Sequence, residues 1–539
     1  MRQFLTLHHP ASARRYYAEG LWQADTLYAL LARHAAERPQ QWAARDSRRR
    51  LTWAEMRDWV DGVAADFRRR GLAGGDRVSI WLSNRLESVV TFLACSREGL
   101  ACNPSLHRTY SCAEISRLLD RLEAKVLVTE PHWGADRDRA DLRDVLAPVS
   151  SLQHIYEMDD YPGPGQAQSA PSTDPDHVVY LAFTSGTTGI PKCIMHSDNT
   201  LLANARDLVG DWGLGPQTHL LSLSPLSHHI GWVGVAQWLV AGCEFVPDDP
   251  PAGMSRLDWI TETGATYVMG VPTHAMDVLA EQQRRQLERL GSVEIFYVAG
   301  APIPHRVAEA FLKQGIRPQN VYGMTENSSH HYTHPNDDDA TLIATCGRGG
   351  RAYQVRLFDP ADPDREVADG EEGHIGGRGA ALMLGYFGDQ AATETSFNRD
   401  GWFLSGDLGI LDNAGNLQIR GRLKELIIRG GYNIYPAHIE ALAMRHPEVK
   451  RAACFPVADE RLGERVCLAV IGAVDADTLL HHLAAQGLSK HDMPEYFLRL
   501  EAFPVSASGK ILQRQLAEMT KRGELAPTAI RWRPKKDIT

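Results

Sequence analysis

The stretch HVVYLAFTSGTTGIPK, residues 177–192, says most about the fold of this 539-residue chain. Its first seven residues form an apolar run of the kind found in buried strands. They lead directly into a loop of small hydroxyl residues and glycines that ends in Lys192. The backbone N–H groups, hydroxyls and ammonium of such a loop can surround phosphate oxygens. The loop is not a Walker A motif, because Lys192 follows Pro191 and is followed by Cys193.

Strand and helix patterns alternate on both sides of this stretch. Capping boxes that begin at Thr52 and Ser111 open two predicted helices, and the segments GDRVSIWLSN and KVLVTE are predicted strands. After residue 218 the short apolar strands are HLLSLSP, CEFVPDD, ATYVMGVP, VEIFYVAG and QNVYGMTE, separated by helical stretches. Strands that alternate with helices form parallel sheets covered on both faces. We therefore predict an α/β fold with two parallel α/β subdomains.

The pattern changes beyond about residue 340 to shorter strands and tight turns, which predicts a β-rich subdomain. Within it, ILDNAGNLQIRGR is a predicted hairpin around Asn413 to Asn416. From Lys424 onward the chain shows a predicted strand, KELIIRG, and then a helix that begins at Pro436 and is stopped by Pro447. Further strands and the helix DTLLHHLAAQGL complete a small α+β module. We predict a large N-terminal domain of residues 1–423 and a small C-terminal domain of residues 424–539.

Composition excludes several classes of protein. The formal net charge is −10, and no segment interleaves Lys or Arg with aromatic residues, so a nucleic-acid partner is not expected. The chain has neither an apolar leader nor a run of about 18 apolar residues, which predicts a cytoplasmic protein without a membrane span. The 8 cysteines include no C-x-x-C pair, so we expect them to be reduced and structural.

TSGTTGIPK resembles the signature of the adenylate-forming (AMP-binding) superfamily, which includes acyl-CoA synthetases, aryl-acid ligases, peptide-synthetase adenylation domains and beetle luciferases. Six further segments resemble motifs of that family in the same order: PLSHHIG (225–231), VAGAPIP (298–304), VYGMTEN (321–327), GWFLSGDLG (401–409), GRLKELIIRGGYNIYPAHIE (421–440) and PVSASGK (504–510). The resemblance covers residues 25 to 520 and is strongest to the acyl-CoA synthetase (acid:CoA ligase) branch. It implies ATP-dependent activation of a carboxylic acid to acyl-AMP with release of pyrophosphate, followed by transfer to coenzyme A.

The same resemblance implies roles for individual residues. Tyr322 stacks on adenine, Thr325 contacts the α-phosphate, and Glu326 holds the Mg²⁺ of ATP, a hard cation suited to a carboxylate. Lys510 stabilises the charge that develops at the α-phosphorus, and Lys424 is the hinge about which the small domain moves. The implied catalytic residues are Lys510, His228 and Thr325. The implied ATP/AMP-binding residues are Thr184, Ser185, Gly186, Thr187, Thr188, Gly189, Lys192, Gly300, Ala301, Pro302, Tyr322, Gly323, Met324, Thr325, Asp407 and Arg422.

The resemblance also suggests where the acid and the thiol bind. The acyl-pocket candidates are His228, Trp232, Val233, Met269, Thr273 and Met324, and the coenzyme A candidates are Gly430, Gly431 and Tyr432. The segment PLSHHIGW lacks the Asp that amino-acid-activating members use to pair with a substrate ammonium, which argues against an amino-acid substrate. The bulky Trp232 favours an alicyclic, aromatic or medium-chain acid.

Two alternatives remain open. The N-terminal segment ARRYYAEGLW resembles stand-alone aryl-acid adenylating enzymes, which load the phosphopantetheine of a carrier protein. A non-catalytic nucleotide-binding sensor is the second alternative, and the presence of Lys510, Glu326, Asp407 and Lys192 argues against it. A carrier protein and a second copy of the chain are further candidate partners.

Overall fold

The computed structural model describes residues 3–184, 191–430, 432–505 and 511–532. Seven of the predicted site residues lie outside the described residues: Ser185, Gly186, Thr187, Thr188, Gly189, Gly431 and Lys510. The chain forms two compact units. The first comprises Met1–Ile303, Glu309–Val355 and Gly377–Phe403, and the second comprises Pro304–Ala308, Arg356–Gly376 and Leu404–Thr539. The second unit thus contains segments from before Lys424 as well as the C-terminal module, and the predicted division after residue 423 stays a prediction.

The described elements, in chain order, have the following bounds. The strands are β1 (Trp42–Arg45), β2 (Arg50–Thr52), β3 (Arg77–Trp81), β4 (Ala101–Asn103), β5 (Val126–Thr129), β6 (His154–Tyr156), β7 (Val178–Thr184), β8 (Lys192–Ser197), β9 (His219–Ser222), β10 (Glu244–Pro247), β11 (Tyr267–Gly270), β12 (Ile295–Val298), β13 (Arg317–Met324), β14 (Ser328–Tyr332), β15 (Tyr353–Phe358), β16 (Gly373–Gly379), β17 (Phe403–Leu411), β18 (Leu417–Arg422), β19 (Ile427–Arg429), β20 (Tyr432–Ile434), β21 (Val449–Asp459), β22 (Gly463–Gly472), β23 (Tyr496–Arg499) and β24 (Thr528–Ala529). The α-helices are α1 (Pro10–Ala18), α2 (Leu27–Glu37), α3 (Trp53–Arg69), α4 (Leu86–Glu98), α5 (Cys112–Leu122), α6 (Leu142–Leu146), α7 (Asp198–Trp212), α8 (His229–Ala241), α9 (Arg256–Glu262), α10 (Pro272–Arg284), α11 (His305–Lys313), α12 (Asp339–Ala344), α13 (Gln390–Glu394), α14 (Pro436–Ala443), α15 (Ala476–Ala485) and α16 (Gln513–Lys521).

Two mainly parallel sheets form the body of the first unit. The larger has the order β14-β13-β12-β11-β9-β10-β1-β2, and it is parallel from β13 to β1 with one antiparallel strand at each edge. The smaller has the order β6-β5-β3-β4-β7-β8, and only β7 and β8 are antiparallel. The predicted pair of parallel α/β subdomains is therefore confirmed.

One hydrophobic core joins the two sheets through the helices that lie between them. Its members include Val78 and Tyr180 from the smaller sheet, Phe245 from the larger one, and apolar residues of α7 and α8. Trp53 and Trp238 stack within this core with ring centroids 5.1 Å apart. Full burial of such large side chains stabilises a fold by roughly 1.5–3 kcal/mol each, and it holds the strand ends in fixed positions.

The predicted local signals are also present. The side chain of Glu55 accepts a hydrogen bond from the Thr52 N–H at 2.8 Å, and that of Glu114 accepts one from Ser111 at 2.8 Å, so both capping boxes are formed. All eight cysteines are free and buried. Among the described residues, no helix combines the length and the apolar character that crossing a bilayer requires.

A four-stranded sheet of order β15-β16-β17-β18 forms the β-rich part, and β17 and β18 make the predicted hairpin. The C-terminal sheet has the order β20-β19-β22-β23-β24, with β21 paired to β22, and α14 and α15 pack on it around a core of their own. Two boundaries differ from prediction. Residues 423–425 form a 3-10 helix before β19, and α14 ends at Ala443 because residues 444–446 turn ahead of Pro447, which disfavours helix before it.

Candidate active site

Most of the predicted site residues in the first unit lie at one edge of the larger sheet. The loops that follow β9, β11 and β12 carry PLSHHIG, the start of α10, and Gly300 to Pro302, while β13 ends at Met324. Ligands of open α/β sheets bind at such carboxyl ends of parallel strands. Gly323 is required there because a Cβ at this position would lie 1.8 Å from the Ser328 carbonyl oxygen. The sheet therefore gathers motifs that are far apart in sequence.

A lysine and a carboxylate meet at the ring of Tyr386. The ammonium of Lys192 lies 4.3 Å from the ring centroid, and the phenol donates a hydrogen bond to Glu326 Oε1 at 3.0 Å. The segment of residues 383–386 is held by two backbone contacts. Met383 N–H donates to the Glu326 carbonyl at 2.7 Å, and Tyr386 forms a β-bridge with Ile194 of β8. Burial and the Glu326 carboxylate raise the pKa of Tyr386 above its usual value, so the phenol stays protonated. We call Lys192, Glu326 and Tyr386 the phosphate-side triad.

Two histidines, the buried His196 and the half-buried His229, contact residues on either side of Glu326. The ring of His196 hydrogen-bonds to the Thr325 carbonyl at 2.6 Å and to Thr200 Oγ1 at 3.0 Å. The rings of His196 and His229 stack with centroids 5.6 Å apart, and His229 Nε2 lies 2.9 Å from Ser328 Oγ. Burial lowers the pKa of His196 to about 4, so this ring is neutral and positions the backbone of Thr325 without adding charge.

Tyr322 and Gly300 lie at the ends of neighbouring strands, β13 and β12. Tyr322 is buried and meets His330 edge-to-face at 5.3 Å, and His330 packs on Tyr353 at 4.2 Å. Gly300 adopts a positive φ of 86°, a conformation that favours glycine, and the next residues, Ala301 and Pro302, are exposed. An aromatic face and a stretch of backbone with little side chain thus lie side by side.

Three histidines approach each other where the loops after β4 and β9 meet the first turn of α10. The rings of His107 and His228 stack with centroids 4.3 Å apart at 28°, and His107 Nδ1 lies 3.0 Å from Ser227 Oγ. Val271 N–H donates to Nδ1 of His274 at the long distance of 3.5 Å. Thr273 is half-buried in the same turn. We call His107, His228 and His274 the acid-side histidines.

Three of the acyl-pocket candidates are packed as core. Trp232 is 1% exposed, its indole N–H donates to the Leu226 carbonyl at 2.5 Å, and its ring lies 4.4 Å from that of Phe92. Val233 and Met269 are buried in the same cluster. The indole of Trp232 thus packs toward its carbonyl partner and the core, and the place of these three residues in the acyl pocket stays a prediction. Met324 and Thr273 are half-buried and His228 is stacked on His107.

The second unit carries the remaining candidates. Asp407 and Arg422 face each other across the β17–β18 hairpin, with Arg422 Nε 3.1 Å from Asp407 Oδ1. Asp407 is buried and Arg422 is largely exposed. Lys424 lies in the 3-10 helix, Gly430 has a φ of 59°, and the exposed Tyr432 stacks on His491 at 5.6 Å. The predicted hairpin therefore places a carboxylate acceptor and a guanidinium donor side by side, and their contact with the ribose stays a prediction.

Sequence reasoning missed four residues of this site: Tyr386, His107, His196 and His274. No motif signal marks them, and only the fold brings them to the strand ends. For a metal ion, Glu326 offers one carboxylate, and the described residues contain no cluster of three or more His, Cys, Asp or Glu that could bind a cation. Such a donor set fits Mg²⁺ held chiefly by phosphate oxygens and water, because that ion binds through one or two carboxylates plus substrate phosphates.

Comparison with known proteins gives consistent matches over nearly the whole chain. The family model described as AMP-binding enzyme matches residues 31–387, and the model of the AMP-binding enzyme C-terminal domain matches residues 438–510. The medium-chain fatty-acid--CoA ligase of Escherichia coli (strain K12) is 27% identical over 95% of this chain and 93% of its own length.

Two further relatives come from other bacteria. A 3-(7a-methyl-1,5-dioxo-octahydro-1H-inden-4-yl)propanoyl:CoA ligase of Mycobacterium tuberculosis (strain ATCC 25618 / H37Rv) is 30% identical over 92% of this chain and 99% of its own length. A solved structure of the o-succinylbenzoate CoA synthetase MenE from Bacillus subtilis, in complex with the acyl-adenylate intermediate OSB-AMP, matches with a TM-score of 0.79 and 25% identity. It covers 91% of this chain and 98% of MenE.

Proposed function

This chain belongs to the AMP-binding enzyme family, in its acyl-CoA synthetase branch, and from that premise we propose how its own residues perform the reaction. The enzyme ligates a carboxylic acid to coenzyme A through an acyl-adenylate. ATP and coenzyme A are its co-substrates, as the names of its relatives support. Glu326 would hold the Mg²⁺ that accompanies the nucleotide, and that ion would shield the phosphate charge.

The observation that carries the proposal is the phosphate-side triad. Lys192 ends the Gly-rich loop and Glu326 belongs to VYGMTEN, yet both contact Tyr386. A cation and a carboxylate that share one buried ring can bind opposite partners within one nucleotide: the ammonium binds phosphate oxygens, and the carboxylate binds the metal ion. Mg²⁺ bound there would neutralise phosphate charge, whereas Tyr386 holds the carboxylate in place through its hydrogen bond.

In the first half-reaction an oxygen of the acid's carboxylate attacks the α-phosphorus of ATP. The new O–P bond forms as the bond to the pyrophosphate oxygen breaks, which yields acyl-AMP and pyrophosphate. Negative charge increases on the α-phosphoryl oxygens during this step, and an ammonium directed at them stabilises it. We assign that ammonium to Lys510 and a hydrogen bond to the α-phosphate to Thr325. The neutral His196 fixes the Thr325 backbone and thereby orients this contact.

In the second half-reaction the thiolate sulfur of coenzyme A attacks the acyl carbonyl carbon, and AMP leaves with the bridging oxygen. We assign the pantetheine contact to Gly430, Gly431 and Tyr432, and the change between half-reactions to a rotation about Lys424. The exposed Tyr432 ring and the positive φ of Gly430 support this assignment, since both leave a slender arm room to approach the backbone. Asp407 binds the ribose hydroxyls, with Arg422 beside it.

The acid is alicyclic, aromatic or medium-chain. Relatives named for a medium-chain fatty acid and for a fused-ring propanoate support this class. The acid-side region of this chain offers apolar surface as well, because Val271 and Ile230 lie within 4 Å of where a Cβ on Gly300 would stand. We expect the acyl group to lie between this surface and the acid-side histidines.

The test is incubation of the purified protein with MgATP and a panel of such acids, with and without coenzyme A. Pyrophosphate release and thioester are measured by coupled assay and mass spectrometry, with Lys510→Ala as the variant. The proposal predicts thioester over many turnovers that is lost in the variant. A single turnover of adenylate without thioester would instead support loading of a carrier protein, and no pyrophosphate release with any acid would support a sensor.

A further inference from the structure

The acid-side histidines form one group although they come from three separate segments. His107 follows β4, His228 precedes α8, and His274 lies in the first turn of α10. His228 stacks on His107, and its charge acts on the titration of both His107 and His274. His228 is therefore close to both of the others, and all three residues follow the carboxyl ends of strands, β4, β9 and β11, in the region that we assign to the acid.

Burial favours the neutral form of two of these rings, those of His107 and His274. Burial and His228 lower the pKa of His107 to about 3. Burial, Arg256 and His228 lower that of His274 to about 4, and Arg256 is itself paired with Asp248 at 2.8 Å. At neutral pH His107 and His274 are thus uncharged, and each presents one N–H donor and one acceptor nitrogen.

In each of the two rings, those of His107 and His274, only one nitrogen makes a hydrogen bond to the described part of the chain. His107 uses Nδ1 toward Ser227, and His274 uses Nδ1 to accept from Val271, which places the proton of His274 on Nε2. Within the described ranges, neither Nε2 atom makes a hydrogen bond, and both rings are half-buried. Two imidazole edges are consequently open to a ligand in a region that is otherwise partly apolar.

We propose that the acid substrate carries a second, uncharged oxygen group, a hydroxyl or a carbonyl on its ring or chain, which hydrogen-bonds to Nε2 of His107 or His274. This inference rests on the proposed function and specifies its substrate. A plain hydrocarbon acid would bury imidazole nitrogens without partners, which a site built for hydrogen bonding does not tolerate well. A second carboxylate would place an anion against neutral rings, which is costly without an added proton.

The test compares matched acids in the thioester assay: benzoate with 3- and 4-hydroxybenzoate, cyclohexanecarboxylate with 4-oxocyclohexanecarboxylate, and hexanoate with 5-oxohexanoate and adipate. We expect at least one hydroxy or oxo acid to exceed its parent in kcat/KM by about 10-fold or more. In His107→Leu or His274→Leu, the ratio of kcat/KM for the oxygenated acid to kcat/KM for its parent should fall toward one. His274→Gln keeps a hydrogen-bond donor and should retain part of this ratio. His481→Leu, on α15, is the matched control and leaves the ratio unchanged.

Parent acids that equal their oxygenated partners, or a ratio unaffected by both leucine variants, would overturn the inference and leave the proposed function standing. A preference for adipate over 5-oxohexanoate would overturn the uncharged character of the group. Absence of pyrophosphate release with every acid would refute the proposed function itself, and the inference with it. Melting temperatures of the variants identify any that fail to fold, and in that case the wild-type ratios decide.

Discussion

Removal of the Tyr386 hydroxyl tests whether the phosphate-side triad positions the metal-binding carboxylate. Tyr386→Phe keeps the ring that lies 4.3 Å from the Lys192 ammonium but removes the donor to Glu326. A hydrogen bond to a charged group contributes about 1.5–3 kcal/mol, and we take the lower value because Glu326 is half-buried rather than buried. At about 1.4 kcal/mol per factor of ten, the variant should need about 10-fold more Mg²⁺ for half-maximal pyrophosphate release.

Tyr386→Leu removes the ring as well, and with it the cation–π contact of Lys192. That contact contributes about 0.5–2 kcal/mol. The leucine variant should therefore show, in addition, a KM for ATP that is about 2- to 30-fold higher. The assay is continuous pyrophosphate release at saturating acid, with Mg²⁺ and ATP varied in turn. Tyr28→Phe is the matched control, because the Tyr28 hydroxyl also donates to a carboxylate, Asp61, at 2.6 Å, but far from the site in sequence.

Two results would refute this reasoning. An unchanged Mg²⁺ requirement in Tyr386→Phe would show that the hydroxyl does not orient Glu326. An equal effect in Tyr28→Phe would show that the loss reflects general destabilisation. The melting temperature, measured for all three variants, separates these cases from simple unfolding.

Three further predictions concern packing, pH and the ribose site. Gly323→Ala should destabilise the protein by about 2–4 kcal/mol, because its Cβ would lie 1.8 Å from the Ser328 carbonyl oxygen. The control is Gly210→Ala in α7, where a Cβ meets open space and the change should be neutral or stabilising. Thermal melts compare the two variants. His196 is neutral in the folded protein and takes up a proton on unfolding below about pH 6.5. Its contribution to the free energy of unfolding is therefore complete above that pH and is lost as the pH falls toward 4. The melting temperature should fall on acidification, and it should fall less in His196→Gln. Asp407→Asn should raise the KM for ATP about 10-fold in the same pyrophosphate assay, and an unchanged KM would remove the residue from the ribose site.

The order of elements and the motif positions could be predicted from the sequence because they depend on local patterns. The capping boxes at Thr52 and Ser111 form as expected, and the alternation of apolar runs with helical stretches predicts two parallel sheets. The hairpin that pairs Asp407 with Arg422 could also be predicted, because a tight turn necessarily brings its two ends together. Each of these inferences needs only residues that are near one another in the chain.

The rest of the site depends on contacts between distant segments. Tyr386 lies 60 residues from the carboxylate it contacts, and 120 residues separate His107 from Ser227. Neither residue belongs to a motif, so only the packed sheets reveal them. The sequence also could not predict the partner of Trp232: its buried indole N–H donates to the Leu226 carbonyl within the core, and its place in the acyl pocket stays a prediction.

The central claim is that the acid is activated by transfer of adenylate from ATP to its carboxylate. The most direct measurement supplies an acid labelled with ¹⁸O in both carboxylate oxygens, together with MgATP and coenzyme A, and determines the label in the products by mass spectrometry. The account predicts one ¹⁸O in AMP, one in the thioester and none in pyrophosphate, because the bridging oxygen leaves with AMP. Label in inorganic phosphate with formation of ADP, or unlabelled AMP, would contradict it.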